Sequence, residues 1–121
     1  MEHWIYHVTS MDTWLQAQQT EGYRHPTLDT EGFIHAAFAH QLDGVMERFF
    51  AGVERVTILC IDQREIEAEV VLEGPIEEGG PFPHVYGPVN LPAVKRIVMF
   101  AREGDKGFKL SVGLPGLANM S

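Results

Sequence analysis

The sequence predicts a single α+β domain, and three observations support that class. The chain has 121 residues, which suits one hydrophobic core. The two helical patterns fall in the first half of the chain, whereas strand patterns gather in the second half. Hydrophobic residues make up 45 % and charged residues 21 %, an ordinary globular mixture. A doubly wound sheet, in which helices and strands alternate, is therefore less favoured.

The first half of the chain has the predicted order strand, helix, loop, strand, helix. “HWIYHVT” is aromatic and β-branched, which is typical of a strand. Ser10 is a suitable N-cap for the helix “MDTWLQAQQTEG”, which is expected to end near Gly22. Pro26 indicates a loop, and “FIHAAF” follows as a short strand. “AHQLDGVMERFFAG” is expected to form a helix with one apolar face, made of Leu42, Val45, Met46, Phe49 and Phe50.

The second half of the chain is predicted to consist of strands joined by one long loop. “RVTILCID” is an almost continuous apolar run, typical of a central strand buried on both faces. “IEAEVVLEG” and “AVKRIVMFAR” are predicted as further strands. Between them, “EEGGPFPHVYGPVN” contains three prolines and three glycines, so it is expected to be a rigid loop. We place one domain at residues 1–102, and a C-terminal extension at 103–121 with a possible edge strand, “FKLSV”, before a flexible tail.

Composition excludes several classes of function. The net charge of −8 disfavours binding to extended nucleic acid, which needs a basic surface. No apolar run approaches the ~20 residues that span a bilayer, so no membrane association is expected. Cys60 is the single cysteine, so no intrachain disulfide is possible. Together with an N-terminus that does not resemble a secretory signal, this predicts a cytoplasmic protein.

The candidate chemistry lies on three histidines. His7 comes near the end of the first strand, His35 follows a glycine turn, and His84 lies in the rigid loop two residues before Tyr86. Functional side chains often lie at strand ends and on the loops beyond them, so these residues could converge on one site. Each could equally be a hydrogen-bonded interior or edge histidine. The other three histidines, His3, His25 and His40, are interpreted as solvated or locally hydrogen-bonded.

Other residues allow further interpretations. Arg24 is a loop arginine that could bind a phosphate, or simply a surface cation. The glutamates between Glu65 and Glu78 are interpreted as a solvated face. Three histidines could also hold zinc with an open fourth position, although no HxH or HxxxH pair occurs among His7, His35 and His84.

Four segments, “IYHVTS”, “GYRHPTL”, “EGFIHAAF” and “FPHVYGPV”, resemble in order and spacing those of the domain of unknown function 952 family. The resemblance extends from about Ile5 to Phe100. It implies a fold similar to that of the ADP-ribosyltransferases, a compact split β-sheet with flanking helices. It does not imply an established reaction.

The wider resemblance to NAD-using transferases implies roles for individual residues. “YHVTS” resembles a strand ending in HGT or HGS, so His7 would bind the NAD ribose and Thr9 stands at the Thr or Ser position. His35 would face the nicotinamide. Val8 replaces the motif's glycine, and His84 stands near the place of a catalytic glutamate.

These implications leave three hypotheses. The first is an NAD-utilising transferase that cleaves the nicotinamide–ribose bond, with Arg24 on the pyrophosphate and His84 and Tyr86 at the acceptor. Its activity would be that of an ADP-ribosyltransferase or would resemble that of the NAD-dependent RNA 2′-phosphotransferases. The second is a non-catalytic module that binds a nucleotide or small metabolite, since fold does not fix function. The third is a zinc-binding protein with a three-histidine site. The oligomeric state is not predicted.

Overall fold

The secondary structure confirms the α+β class. The computed structural model describes residues 3–110 and 113–115. The strands, numbered in chain order, are Trp4–Thr9 (β1), Gln18–Gln19 (β2), Gly22–Tyr23 (β3), Ile34–His35 (β4), Arg55–Asp62 (β5), Glu69–Glu73 (β6), Phe82–Tyr86 (β7) and Val94–Ala101 (β8). The α-helices are Met11–Gln16 (α1), Thr27–Thr30 (α2) and Leu42–Phe49 (α3). No helix among the described residues is long and apolar enough to cross a membrane.

The first sheet is antiparallel, with strand order β1-β5-β8. Its central strand β5 is buried from Val56 to Asp62, as the continuous apolar run predicted. One face of the sheet presents Ile5 and Leu59 to one hydrophobic cluster, and the opposite face presents Tyr6 and Ile58 to another. Because successive side chains of a strand point to opposite faces, a strand covered on both faces has a nearly continuous run of apolar residues.

The second sheet, with order β4-β7-β6, corrects the prediction of a loop around His84. The segment Phe82–Tyr86 is the central strand of this sheet, although Pro83 has no N–H to donate. The N–H and C=O of one strand residue point to the same side. The carbonyl of Pro83 accepts from Ala36 N at 3.1 Å, just past the end of the short β4. The nitrogen of Pro83 therefore also faces the β4 side, so its lack of a hydrogen leaves the pairing with β6 intact.

The first helix is shorter than predicted. Ser10 caps α1 as expected, its Oγ accepting from Thr13 N at 3.1 Å. The helix ends at Gln16 rather than near Gly22, because the chain turns into the β2–β3 ladder, in which Gln18 pairs with Tyr23. The loop around Pro26 contains the short helix α2, which begins after that proline. A proline is tolerated at a helix start because the N–H it lacks has no intrahelical acceptor there.

The predicted apolar face of the second helix is only partly buried. Leu42 and Met46 belong to the core, whereas Phe49 is 64 % exposed. Gln41, just before α3, donates from its amide to the carbonyls of Gly79 and Pro81 at 3.0 and 2.7 Å. This buried side chain fixes the turn that leads into β7 against α3.

The C-terminal segment contributes to the core that covers Tyr6. Leu110 and Leu114 are buried in that cluster. Phe108 to Leu110 form no strand, and the rest of the predicted edge strand lies outside the described residues, as does the predicted flexible tail from residue 116.

Candidate functional site

A cavity of about 770 Å³ is bounded by both three-stranded sheets and by α3. Its volume falls in the range of roughly 300–1,000 Å³ that is usual for small-molecule sites. His7 from β1, His35 from β4 and His84 from β7 all line it, so the three histidines converge on one space. His25, which the sequence analysis set aside, lines it as well.

His7 is enclosed by protein groups on both ring nitrogens. Its side chain is buried, with Nδ1 2.6 Å from the carbonyl oxygen of His35 and Nε2 2.8 Å from the hydroxyl of Tyr23. Burial lowers the pKa of His7 to about 3, so the ring is neutral. Because a carbonyl only accepts, Nδ1 carries the proton and Nε2 accepts from Tyr23. The Tyr23 oxygen lies 3.4 Å from Oγ1 of the buried Thr9.

His25 is locally hydrogen-bonded to Thr27, in agreement with one of the two interpretations, and its ring also lies edge-on to that of His7, 4.9 Å between centroids. Its Nδ1 accepts from the backbone N–H of Thr27 at 3.1 Å, so the proton of the neutral ring is on Nε2. Partial burial lowers the pKa of His25. The one signal that could have identified it is its place in “GYRHPTL”, one of the four segments that carry the family resemblance.

His35 and His84 form a different arrangement, in which each imidazole is held by a carboxylate. His35 Nε2 lies 2.9 Å from Glu31 Oε1, and His84 Nδ1 lies 2.9 Å from Glu73 Oε1. The two imidazole rings meet edge to face at 5.3 Å, and within the described residues neither ring's second nitrogen has a hydrogen-bond partner. Carboxylates accept only, so each neutral ring keeps a lone pair on that second nitrogen.

Glu73 is half-buried rather than part of a fully solvated face, which corrects that interpretation. It accepts from the Tyr86 hydroxyl at 2.5 Å as well as from His84. These hydrogen bonds, that of Tyr86 first, lower the pKa of Glu73, and the same contact raises the pKa of Tyr86. Both side chains reach one carboxylate because alternate residues of β7 share a face. Tyr86 does not itself line the cavity.

Phe33 covers the face of the His84 ring. The two rings stack with centroids 4.0 Å apart and an interplanar angle of 13°. Phe33 also contacts the rings of His35 and Tyr86. Such packing restricts the rotamers of both histidines. This residue was not predicted, because an aromatic beside a glycine turn carries no distinctive pattern.

Arg24 lies apart from the cavity lining. Its guanidinium pairs with Asp29 at 2.8 Å, within the same loop. Two other arginines, Arg48 and Arg55, line the cavity instead.

The three predicted histidines are not arranged as metal ligands. Within residues 3–110 and 113–115, no three His, Cys, Asp or Glu side chains are placed to hold one metal ion. The physical reason at His7 is that both nitrogens are already engaged by protein groups. The interpretation as a three-histidine zinc site is therefore wrong for these residues.

The fold is shared with solved structures of the protein CC0527 from Caulobacter crescentus. Its crystal structure is 22 % identical to this chain, with a TM-score of 0.76 over 89 % of this chain and 95 % of that one. The crystal structure of a double mutant gives 0.75 over the same shares at the same identity. The solution NMR structure gives 0.66 over 93 % and 97 %, also at 22 % identity. At this identity the likeness establishes the fold alone.

No curated protein matches the sequence. The family described as protein of unknown function (DUF952) matches residues 8–97, which is most of the chain. That range contains His25, His35 and His84 with the side-chain hydrogen-bond partners Thr27, Glu31 and Glu73, and all of the “GYRHPTL”, “EGFIHAAF” and “FPHVYGPV” segments, whereas His7 lies one residue before it. The chain therefore belongs to the DUF952 family of proteins of unknown function.

Proposed function

We propose that the protein binds NAD or a related nucleotide in this cavity and cleaves the bond between nicotinamide and ribose, on a fold similar to that of the ADP-ribosyltransferases. One observation carries the proposal. The rings of His84 and His35 lie at the wall of one cavity, with their centroids 5.3 Å apart. Glu73 holds His84, and Glu31 holds His35. An imidazole oriented by a carboxylate is suited to general acid–base catalysis.

In the proposed reaction the C1′–N bond breaks and its electron pair leaves with nicotinamide. The remaining ribose is an oxocarbenium-like cation, which an acceptor hydroxyl or water attacks at C1′. His84 Nε2 takes the proton from the attacking oxygen, and the carboxylate of Glu73 stabilises the imidazolium that forms. Glu73 also compensates for the glutamate that the resemblance implies near position 84. It lies on the neighbouring strand β6 and acts through the imidazole.

His35 is proposed to orient the nicotinamide. With Nε2 directed at Glu31, its Nδ1 lone pair accepts a hydrogen bond from the carboxamide N–H. Phe33, whose ring lies 4.8 Å from that of His35, provides an aromatic surface beside it.

His7 is proposed as a positioning residue rather than as the ribose ligand that the resemblance implies. A contact from Nε2 to ribose would require it to release the Tyr23 hydroxyl, leaving a buried phenol without that partner. Its bond to the His35 carbonyl instead fixes the backbone that carries His35. Thr9 belongs to the same buried set through Tyr23.

The test is the release of nicotinamide from NAD by the purified protein. We expect release by the parent, and a 10²- to 10⁴-fold lower rate for His84→Ala, the range usual for a general base. His40→Ala is the matched control, because His40 is exposed and does not line the cavity. Wild-type protein that binds NAD saturably but releases no nicotinamide would refute the reaction.

A non-catalytic nucleotide-binding module is the second candidate, and two observations favour it. Val8, which lines the cavity, replaces the glycine of the transferase motif, and Glu73, the carboxylate assigned to catalysis, does not itself line the cavity. In that case NAD, ADP-ribose and nicotinamide should raise the melting temperature without any turnover. A ligand that binds only the native state adds about 2.7 kcal/mol at 100 times its Kd.

A further inference from the structure

A second cavity adjoins the one that the histidines line. It has a volume of about 480 Å³ and lies where β1 ends and β5 begins. Ser10, Arg55 and Val56 line both cavities, so these residues form the boundary between the two. The remaining lining of the second cavity includes the apolar side chains of Met11, Met99 and Phe100.

Arg55 is the arginine at this boundary. It is exposed, and within the described residues it has no hydrogen bond or ion pair from its side chain. Most other basic side chains in the described part of the chain are engaged: Arg24, Arg48, Arg64, Lys95, Arg102 and Lys109. Arg96 has no such partner either, but it lines neither cavity.

A dinucleotide has the shape that this arrangement accommodates, because a pyrophosphate joins two nucleosides. A guanidinium binds phosphate oxygens through paired N–H donors. We infer that Arg55 binds the pyrophosphate, with the nicotinamide riboside half in the histidine-lined cavity and the second nucleoside in the adjoining one. This inference rests on the proposed function and gives Arg55 the role that the sequence suggested for Arg24.

Asp12 is the counter-charge at this place. It lines the second cavity and is exposed, with no ion pair among the described residues. A carboxylate there repels a phosphate, so the inference assigns opposite effects to two neighbouring side chains. Removing the charge of Arg55 weakens the ligand, and removing that of Asp12 tightens it.

The experiment is calorimetric titration with ADP-ribose and with nicotinamide riboside, which has no phosphate. Arg55→Gln should weaken ADP-ribose by about 10- to 150-fold, since a hydrogen bond to a charged group contributes roughly 1.5–3 kcal/mol. The same substitution should change the Kd of nicotinamide riboside less than twofold. Arg55→Lys should fall between parent and Arg55→Gln, and Asp12→Asn should tighten ADP-ribose. Arg24→Gln is the matched control and should leave both ligands unchanged.

Two results would overturn the inference: Arg55→Gln that binds ADP-ribose as tightly as the parent, or a parent that binds no ADP-ribose. The same measurements distinguish a failure of this inference from a failure of the proposed reaction. Arg55-dependent binding of ADP-ribose without nicotinamide release from NAD refutes the reaction and supports the inference. Nicotinamide release with a KM that is unchanged in Arg55→Gln supports the reaction and refutes the inference.

Discussion

His7 and His84 lie in different sheets and line the same cavity, yet their surroundings differ in every property that governs an imidazole. His7 is 2 % exposed, and neutral groups occupy both of its nitrogens. His84 is bound on one nitrogen by a half-buried carboxylate, and its other nitrogen has no hydrogen-bond partner among the described residues. Burial without a counter-charge lowers the pKa of His7 and holds its ring neutral, whereas the ring of His84 has a carboxylate within hydrogen-bond distance. The proposed function therefore assigns different roles to the two residues: His7 fixes the site and His84 transfers the proton.

The largest expected effect comes from Glu73→Gln, which removes the carboxylate that holds His84 and leaves His84 itself in place. The substituted amide cannot stabilise an imidazolium, and its NH₂ group favours the wrong tautomer of His84. Nicotinamide release should fall by about 10²- to 10⁴-fold in single-turnover measurements. Glu77→Gln, at an exposed glutamate with no side-chain partner among the described residues, should match the parent. If Glu73→Gln kept more than half of the parental rate, the Glu73–His84 pair would have no role in the reaction.

Gly22→Ala should disrupt the buried surroundings of His7. Gly22 has φ of +131°, and a Cβ there would lie 2.3 Å from the carbonyl oxygen of Val89. That carbonyl accepts from Tyr23 N at 2.8 Å, so the clash displaces the residue that binds His7. We expect a loss of about 3 kcal/mol in the free energy of unfolding, measured with urea.

Gly44→Ala is the matched control for that substitution. Gly44 lies within α3, and nothing lies within 4 Å of a Cβ built there. Replacing a helical glycine by alanine should stabilise the protein by up to about 1 kcal/mol. Equal destabilisation by both variants would show that the close approach to Val89 is not the cause.

The pH dependence of stability sharpens the comparison at His7. The folded pKa of about 3 lies below the ordinary histidine value of 6.5, so between these two pH values the unfolded chain binds a proton that the folded chain does not. The stability is therefore complete above pH 6.5 and is lost as the pH falls. Relative to its value well above pH 6.5, the free energy of unfolding should be about 2 kcal/mol lower at pH 5. Urea denaturation should show this slope in the parent and a weaker one in His7→Gln. An unchanged slope would show that His7 is not the group responsible.

The smallest expected effect is that of Tyr86→Phe, which removes one of the two donors to Glu73. That hydrogen bond is the first cause of the lowered pKa of Glu73, so its loss raises that pKa. The acid limb of the rate profile should move to higher pH, and the rate at neutral pH should fall about fivefold, equivalent to about 1 kcal/mol. A profile that keeps its position would contradict the coupling.

The elements that the sequence predicted well are those set by local pattern. β5 has a continuous apolar run because both faces of it are covered, and Ser10 caps α1 with its own side chain. β7 was missed because the cost of Pro83 depends on where its partner β4 ends, which is not local information. The period of two along that segment still placed His84 and Tyr86 on one side.

The candidate site was predicted in the same partial way. The convergence of His7, His35 and His84 followed from their positions near strand ends. Glu73 could not be recognised because only the pairing of β6 with β7 brings it beside His84. His25 was missed because its burial beside His7 comes from the loop's path across β1 and not from any pattern around it.

One paired measurement tests the contrast between His7 and His84 most directly. The free energy of unfolding and the rate of nicotinamide release per folded molecule are determined for His7→Gln and His84→Gln, at pH 7.5. We predict that His7→Gln loses about 1–3 kcal/mol of stability and changes the rate less than tenfold, because it leaves buried partners unpaired. His84→Gln should lose most of the rate and little stability. The reverse pattern, or equal losses in both quantities for both variants, would contradict the division between a positioning and a reacting histidine.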